Sequence, residues 1–159
     1  MKHLTKFDVV VVGGGHAGVE AANTTANLKQ RVCMVSMDQG AIGRMSCNPA
    51  IGGVAKGQLI RELDVLSGLM SGAADASALQ YKMLNTSKGR SVWSPRAQID
   101  KRLYEKKISK TVLCNENISF VKGEVVSLTI KNNTVCGVVL RSGEKIKTKT
   151  VVLSCGTFL

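Results

Sequence analysis

Hydrophobic positions along this chain follow three different rhythms, and their order predicts its architecture. Phe7 and the run Val9 to Val12 are continuously apolar, as in a strand buried on both faces. Val19, Ala22 and Ala26, with Ala21 and Leu28, then recur at the spacing of a helix packed on a sheet. Residues 31–35 form a second apolar strand that ends at Ser36. Residues 45–57, with Pro49 and three glycines, read as an irregular loop, and 58–70 as one helix with Leu59, Ile60, Leu63, Leu66, Leu69 and Met70 on its packed face. Residues 79–84 read as a short strand, 85–95 as a loop, and Pro95 as the start of a helix with Ile99, Leu103 and Leu113 among its apolar positions. From Ser119 the period becomes two. Strands at 124–131, 134–141 and 144–149, joined by Asn132-Asn133 and Ser142-Gly143, predict a meander, and the apolar run from Thr150 to Cys155 predicts a return to the first sheet that ends at Gly156. The fold class expected is α/β: a Rossmann-like domain over residues 1–159 with a parallel sheet and an inserted antiparallel β-meander, incomplete at its C-terminus.

The junction between the first strand and the first helix, Gly13-Gly14-Gly15-His16-Ala17-Gly18, is a GxGxxG turn. Gly13 permits the tight turn, Gly15 lets backbone approach a pyrophosphate, and Gly18 lets helix and strand pack without a Cβ between them. The amides of Gly15 to Gly18 would point at the phosphates, backed by the positive end of the helix dipole, so no basic side chain is needed. The acid that usually ends the second strand to hold a ribose is missing there: the position is Ser36, a weaker neutral partner, with Asp38 two residues on.

Composition narrows the classes. The chain has 159 residues, 44% of them hydrophobic, which suits one globular core. No apolar run approaches the ~18 residues of a membrane span, and the N-terminus does not read as a signal peptide, so the expected location is cytoplasmic, away from membranes. Five cysteines without CxxC spacing argue against a disulfide framework and against a metal site. Cys33, Cys114, Cys136 and Cys155 are expected to be small buried hydrophobes, whereas Cys47 lies in the glycine-rich loop. Net charge is +11, and nine basic residues against Asp100 and Glu105 between Lys82 and Lys110 give that segment a net +7. Such a field attracts polyanions, nucleic acid first, although a solvated helix face has the same composition.

Several motifs together, Gly13 to Gly18 with His16 at its fourth place, Met45-Ser46-Cys47-Asn48-Pro49-Ala50-Ile51-Gly52-Gly53 followed by Lys56-Gly57, Asn85-x-Ser87-Lys88-Gly89, Arg96-Ala97-Gln98-x-Asp100 and the closing Val-Val-Leu-x-x-Gly-Thr-Phe, resemble the FAD-binding region of the glucose-inhibited division protein A family. The resemblance spans essentially the whole chain, and the Cys-Asn-Pro-Ala-Ile-Gly-Gly loop is its most specific part. It implies a flavin-reductase-like Rossmann domain in an enzyme that binds FAD, reduces it with NADH, takes a carbon unit from methylenetetrahydrofolate and, with a GTPase partner, modifies the wobble uridine of tRNA, as a homodimer at full length. The FAD contacts carry over to Gly13, Gly14, Gly15, His16, Ala17 and Gly18, with Ser36, Val125 and Gly156 beside them. Cys47 becomes the candidate nucleophile or proton donor near the flavin. Lys88, Arg90, Arg96 and Arg102 become candidate tRNA phosphate contacts, and Trp93 is open to base stacking or to a core role.

Two readings from other classes use the same residues. An NAD-dependent dehydrogenase half would explain the glycine turn but not the meander, and a non-catalytic basic RNA-binding domain would explain the charge but not the turn. The chain's ending on Thr157-Phe158-Leu159 reads as that of a fragment, expected to bind FAD weakly or not at all and to be inactive alone.

Overall fold

The computed structural model describes residues 6–46 and 48–156. The chain divides into two compact units, one formed by 1–44 with 109–159 and the other by 45–108.

The first unit is built on a four-stranded parallel sheet. Val9–Val12 (β1) leads into helix His16–Asn27 (α1) and returns as Val32–Ser36 (β2). Helix Lys101–Leu113 (α4, fourth in chain order) feeds Ile118–Lys122 (β6), and the last strand, Thr150–Leu153 (β10), lies on the other side of β1, so the order is β10-β1-β2-β6. The pairing is in register along its length, for example Val10 with Cys33 on one side and Val151 on the other. This explains the continuous apolar runs: Val10, Val11, Val32, Cys33 and Met34 are fully buried because both faces of the sheet are covered. Side chains alternate between those faces. Val10, Val12, Cys33 and Val35 meet Val138, Leu140 and Ile146 of the meander strands Thr134–Leu140 (β8) and Lys145–Lys147 (β9), which pair with Val125–Lys131 (β7) in the order β7-β8-β9. The opposite face takes α1, whose Val19, Ala22 and Ala26 are buried. The meander and the returning strand therefore form as the sequence predicts, and both turn residues Asn132 and Asn133 have positive φ. That is the backbone of a tight two-residue hairpin turn, which asparagine tolerates.

The second unit holds a small antiparallel sheet of Ala50–Gly52 (β3), Ser94–Ile99 (β5) and Ala78–Leu84 (β4), in the order β3-β5-β4, with helices Lys56–Val65 (α2) and Leu69–Asp75 (α3). Four expectations fail here. The single helix over 58–70 is two helices, because Ser67 adopts φ 64° and the Gly68 amide caps back onto the Leu63 carbonyl at 2.8 Å. Leu59 and Leu66, expected on a packed face, are 59% and 71% exposed. Pro95 does not open a helix: it is the second residue of β5, where its missing N–H is tolerated and its carbonyl accepts from the Gly53 amide at 2.9 Å. The helix start is instead marked by Asp100, whose carboxylate accepts from the Leu103 amide at 3.0 Å. The loop over 45–57 also contains a regular element, β3, because Ala50 to Gly52 pair with Gln98 to Arg96.

Two predictions follow from the first unit. Met34 is fully buried at the centre of the sheet, so Met34→Ala should cost about 2–5 kcal/mol in chemical denaturation, while Leu28→Ala at a 69% exposed position stays within about 0.5 kcal/mol. Asp8 ties the start of β1 to the start of β2 by accepting from the Arg31 amide at 3.0 Å and from Arg31 Nε at 3.2 Å. Those bonds, the backbone one foremost, hold its carboxyl below the ordinary 3.8. A depressed folded pKa contributes stability above the ordinary carboxylate range that is lost as pH falls through it. The excess stability of wild type over Asp8→Asn, read from urea midpoints, should therefore be present near neutrality and vanish in strong acid.

Candidate dinucleotide site

The C-terminal ends of β1, β2, β6 and β10 lie along one edge of the parallel sheet, and the sequence-predicted cofactor residues of this unit collect there. Gly13 follows β1 at φ 109°, and a Cβ on it would run into the Ser154 carbonyl after β10. A Cβ on Gly18 would strike the Gly13 carbonyl, which the helix passes without a side chain between. Gly14 is packed beneath Ser36 and Ile42, whose nearest atoms would lie 3.4–3.5 Å from an added Cβ. Gly15 differs from its neighbours, since nothing lies within 4 Å of where its Cβ would be. It is the N-cap of α1, makes no side-chain cap bond, and the first turn of the helix carries no acid. His16 and Ala17 begin the helix. The N-terminus of α1 thus has no capping side chain, open space beside Gly15 and the positive end of the helix dipole, features that suit a pyrophosphate.

Ser36 closes β2 and donates its hydroxyl to the Asp38 carbonyl at 3.3 Å. Asp38 is committed to its own loop: its carboxylate accepts from the Gly40 amide at 2.9 Å and from Arg44 Nη2 at 3.0 Å. The Ser36 carbonyl accepts from the Gly123 amide at 3.0 Å, two residues before Val125 opens β7. Gly156 follows β10 at φ 68°. Gly13 to Gly18, Ser36, Val125 and Gly156 therefore share one edge of the first unit.

Sequence reasoning missed what braces the turn. Ser154 donates its hydroxyl to the Val12 carbonyl at 2.8 Å, and its amide donates to the same carbonyl at 2.8 Å. From the other side, the Gly43 amide donates to the Gly14 carbonyl at 2.8 Å, with Ile42 buried next to it. A serine two residues before a glycine is the only signal the chain offered, and it carries no spacing rule.

The remaining candidates belong to the second unit or fall outside the described residues. Lys88 and Arg90 lie exposed on short helical turns, Arg96 lies in β5, and Arg102 is exposed on α4. Trp93 is not a core residue: it is 39% exposed, with the Arg90 guanidinium 5.9 Å from its ring centroid. Cys47 lies outside the described residues. Of the other cysteines, Cys33 is buried as expected, and burial pushes its thiol up to about 12, so it is inert. Cys114 is exposed instead, because it sits just past the last turn of α4, and Cys136 and Cys155 are half-buried. Among the described residues no group of histidine, cysteine and acidic side chains could hold a metal ion, and no helix is long and apolar enough to cross a membrane.

The contrast between two glycines gives a test. Gly18→Ala should destabilise the protein by about 1–3 kcal/mol, because the added methyl meets backbone that cannot move away. Gly15→Ala should cost less than about 1 kcal/mol and yet weaken dinucleotide binding, since its methyl enters only the open space. Thermal melts alongside ligand titration separate the two; equal behaviour of both variants would contradict the assignment.

Known proteins share the sequence and fold of this chain. The family model for glucose inhibited division protein A matches residues 8–159. The chain is 50% identical over 156 residues to the tRNA uridine 5-carboxymethylaminomethyl modification enzyme MnmG of Aquifex aeolicus, covering 98% of this chain and 25% of that protein. It is 46% identical over 154 residues to the protein of the same name from Endomicrobium trichonymphae, covering 97% of this chain and 26% of the relative. The crystal structure of Aquifex aeolicus GidA superposes with a TM-score of 0.93 at 50% identity, over 98% of this chain and 26% of that one. The chain thus spans about a quarter of the length of the curated relatives it matches. With a family match over nearly its whole length, set on a Rossmann-like fold with the glycine turn at its sheet edge, the chain belongs to the glucose-inhibited division protein A family.

Proposed function

We propose that this chain is the FAD-binding part of a tRNA-modifying enzyme that, in complex with a GTPase partner, adds a carboxymethylaminomethyl group to wobble uridine. The observation that carries the reading is the turn from Gly13 to Gly18, closed where a Cβ would clash and open at Gly15. The FAD pyrophosphate would be held by the amides from Gly15 to Gly18, a ribose hydroxyl by Ser36, and the adenine by backbone at Val125, with Gly156 closing the edge. When bound, FAD supplies the redox chemistry, with NADH as its reductant and methylenetetrahydrofolate as the carbon donor. The protein's part at this edge is to orient the cofactor and fix its charge with backbone rather than side chains.

Further parts of the proposal belong to the complete protein. Cys47 acts beside the flavin as nucleophile or proton donor. Lys88, Arg90, Arg96 and Arg102 contact tRNA phosphates, which supply affinity without reading sequence. The enzyme works in the cytoplasm as a homodimer, and the chain alone binds FAD weakly and is inactive. An NAD-dependent dehydrogenase half would have continued with further βα units where this fold places the β7-β8-β9 meander.

The complete protein should purify with flavin absorbance bands; tight NAD binding without flavin would instead support a dehydrogenase. Its tRNA affinity should fall with salt, and Arg90→Ala should lower the log–log salt slope by about 1 across unrelated tRNA sequences. Cys47→Ser should lose uridine modification with FAD retained, and a fully active variant would end the role given to Cys47.

A further inference from the structure

We propose that Lys82 and Arg96, facing each other across β4 and β5, clamp one backbone phosphate of the RNA substrate. This rests on the tRNA reading above and assigns to it a specific surface, to which Lys82 is new.

The two residues are direct cross-strand partners in the register of β4 with β5. Such partners project from the same face of a sheet with their Cβ atoms about 4.5–5.5 Å apart, and like charges so placed destabilise the pairing. Nothing within the second unit offsets this. Among the described residues no carboxylate comes within 4.0 Å of either cation, and the four ion pairs all involve other residues. The neighbouring positions on that face are Gln80 opposite Gln98, Leu84 opposite Ser94, and Ala50 and Gly52 of β3, none of them acidic.

The opposite face is chemically different. Tyr81 pairs with Ala97, and Ile51 pairs with Ala97 from the other side. These three line a cavity of about 270 Å³ together with Ile60 and Ala74 of α2 and α3. On this face β3 and β5 pack against α2 and α3 while Tyr81 of β4 stays 59% exposed, and the other face carries the amides and cations. Lys82 is exposed and Arg96 half-buried there, and an oxyanion between the two cations would remove the repulsion. Arginine offers a planar fork of donors and lysine a mobile point charge, a combination that fits a phosphate, and the Gln80 and Gln98 amides can donate to the adjoining sugar and phosphate oxygens. A polymer rather than a free anion is favoured because the positive charge continues along the chain, through Lys88 and Arg90 directly after β4.

The test uses the complete protein, an unmodified tRNA transcript and binding measured over a range of salt. Lys82→Ala and Arg96→Ala should each weaken binding and lower the log–log salt slope by about 1. Lys82→Glu should lose at least as much affinity while its thermal midpoint stays level or rises, because it replaces a repulsion with a cross-strand ion pair. A structural lysine would show the reverse, a lower midpoint with unchanged RNA affinity, and that result overturns the clamp. So does unchanged affinity and slope in all three variants while the wild type binds tRNA. A wild type that binds no tRNA at any salt overturns the tRNA reading itself, and the clamp with it.

Discussion

The fold turns on a close approach of backbones. Where β1 ends, the Gly13 carbonyl lies so near the first turn of α1 that no side chain fits at position 18, and Gly13 itself lies against the carbonyl of Ser154. Ser154 holds that arrangement through two hydrogen bonds to the Val12 carbonyl, one from its amide and one from its hydroxyl. The helix can therefore start directly at the sheet edge, with no side chain capping its N-terminus. Everything proposed for the site depends on this: a bulkier turn would push α1 away from β1 and take the amides with it. The apolar burial on both faces of β1 and β2 supplies the rigidity that keeps the turn in place.

The two units divide the chemistry. In the proposed reading the first unit holds the dinucleotide at the glycine turn through shape and peptide dipoles. The second carries a concentrated run of basic residues from Lys82 to Lys107, on a sheet face, two short helical turns and the start of a helix. A dinucleotide and a polyanion place opposite demands on a surface, close fit for one and a broad field for the other. In that reading the two demands fall on different compact units.

How much of this was legible depended on whether the signal was local. β1, β2 and the meander were readable because burial on two faces and burial on one leave different periods in the sequence, and Asn132-Asn133 and Ser142-Gly143 mark the turns. Pro95 misled because proline opens helices and also tolerates the first residues of a strand; Asp100, five residues on, was the true helix start. The break at Ser67 was hidden because a serine at positive φ has no sequence mark, whereas the following Gly68 was an available hint. The braces Ser154 and Gly43 act across long sequence separations, on residues 12 and 14, and no pattern along the chain encodes such a contact. Lys82 opposite Arg96 likewise becomes visible only once the register of β4 and β5 is known.

The most direct test of the central claim is a crystal structure of the complete protein with FAD. The diphosphate should lie against the amides of Gly15 to Gly18, within hydrogen-bonding distance and beside the bare Cα of Gly15. A diphosphate found elsewhere, with those amides turned to solvent, would contradict the account.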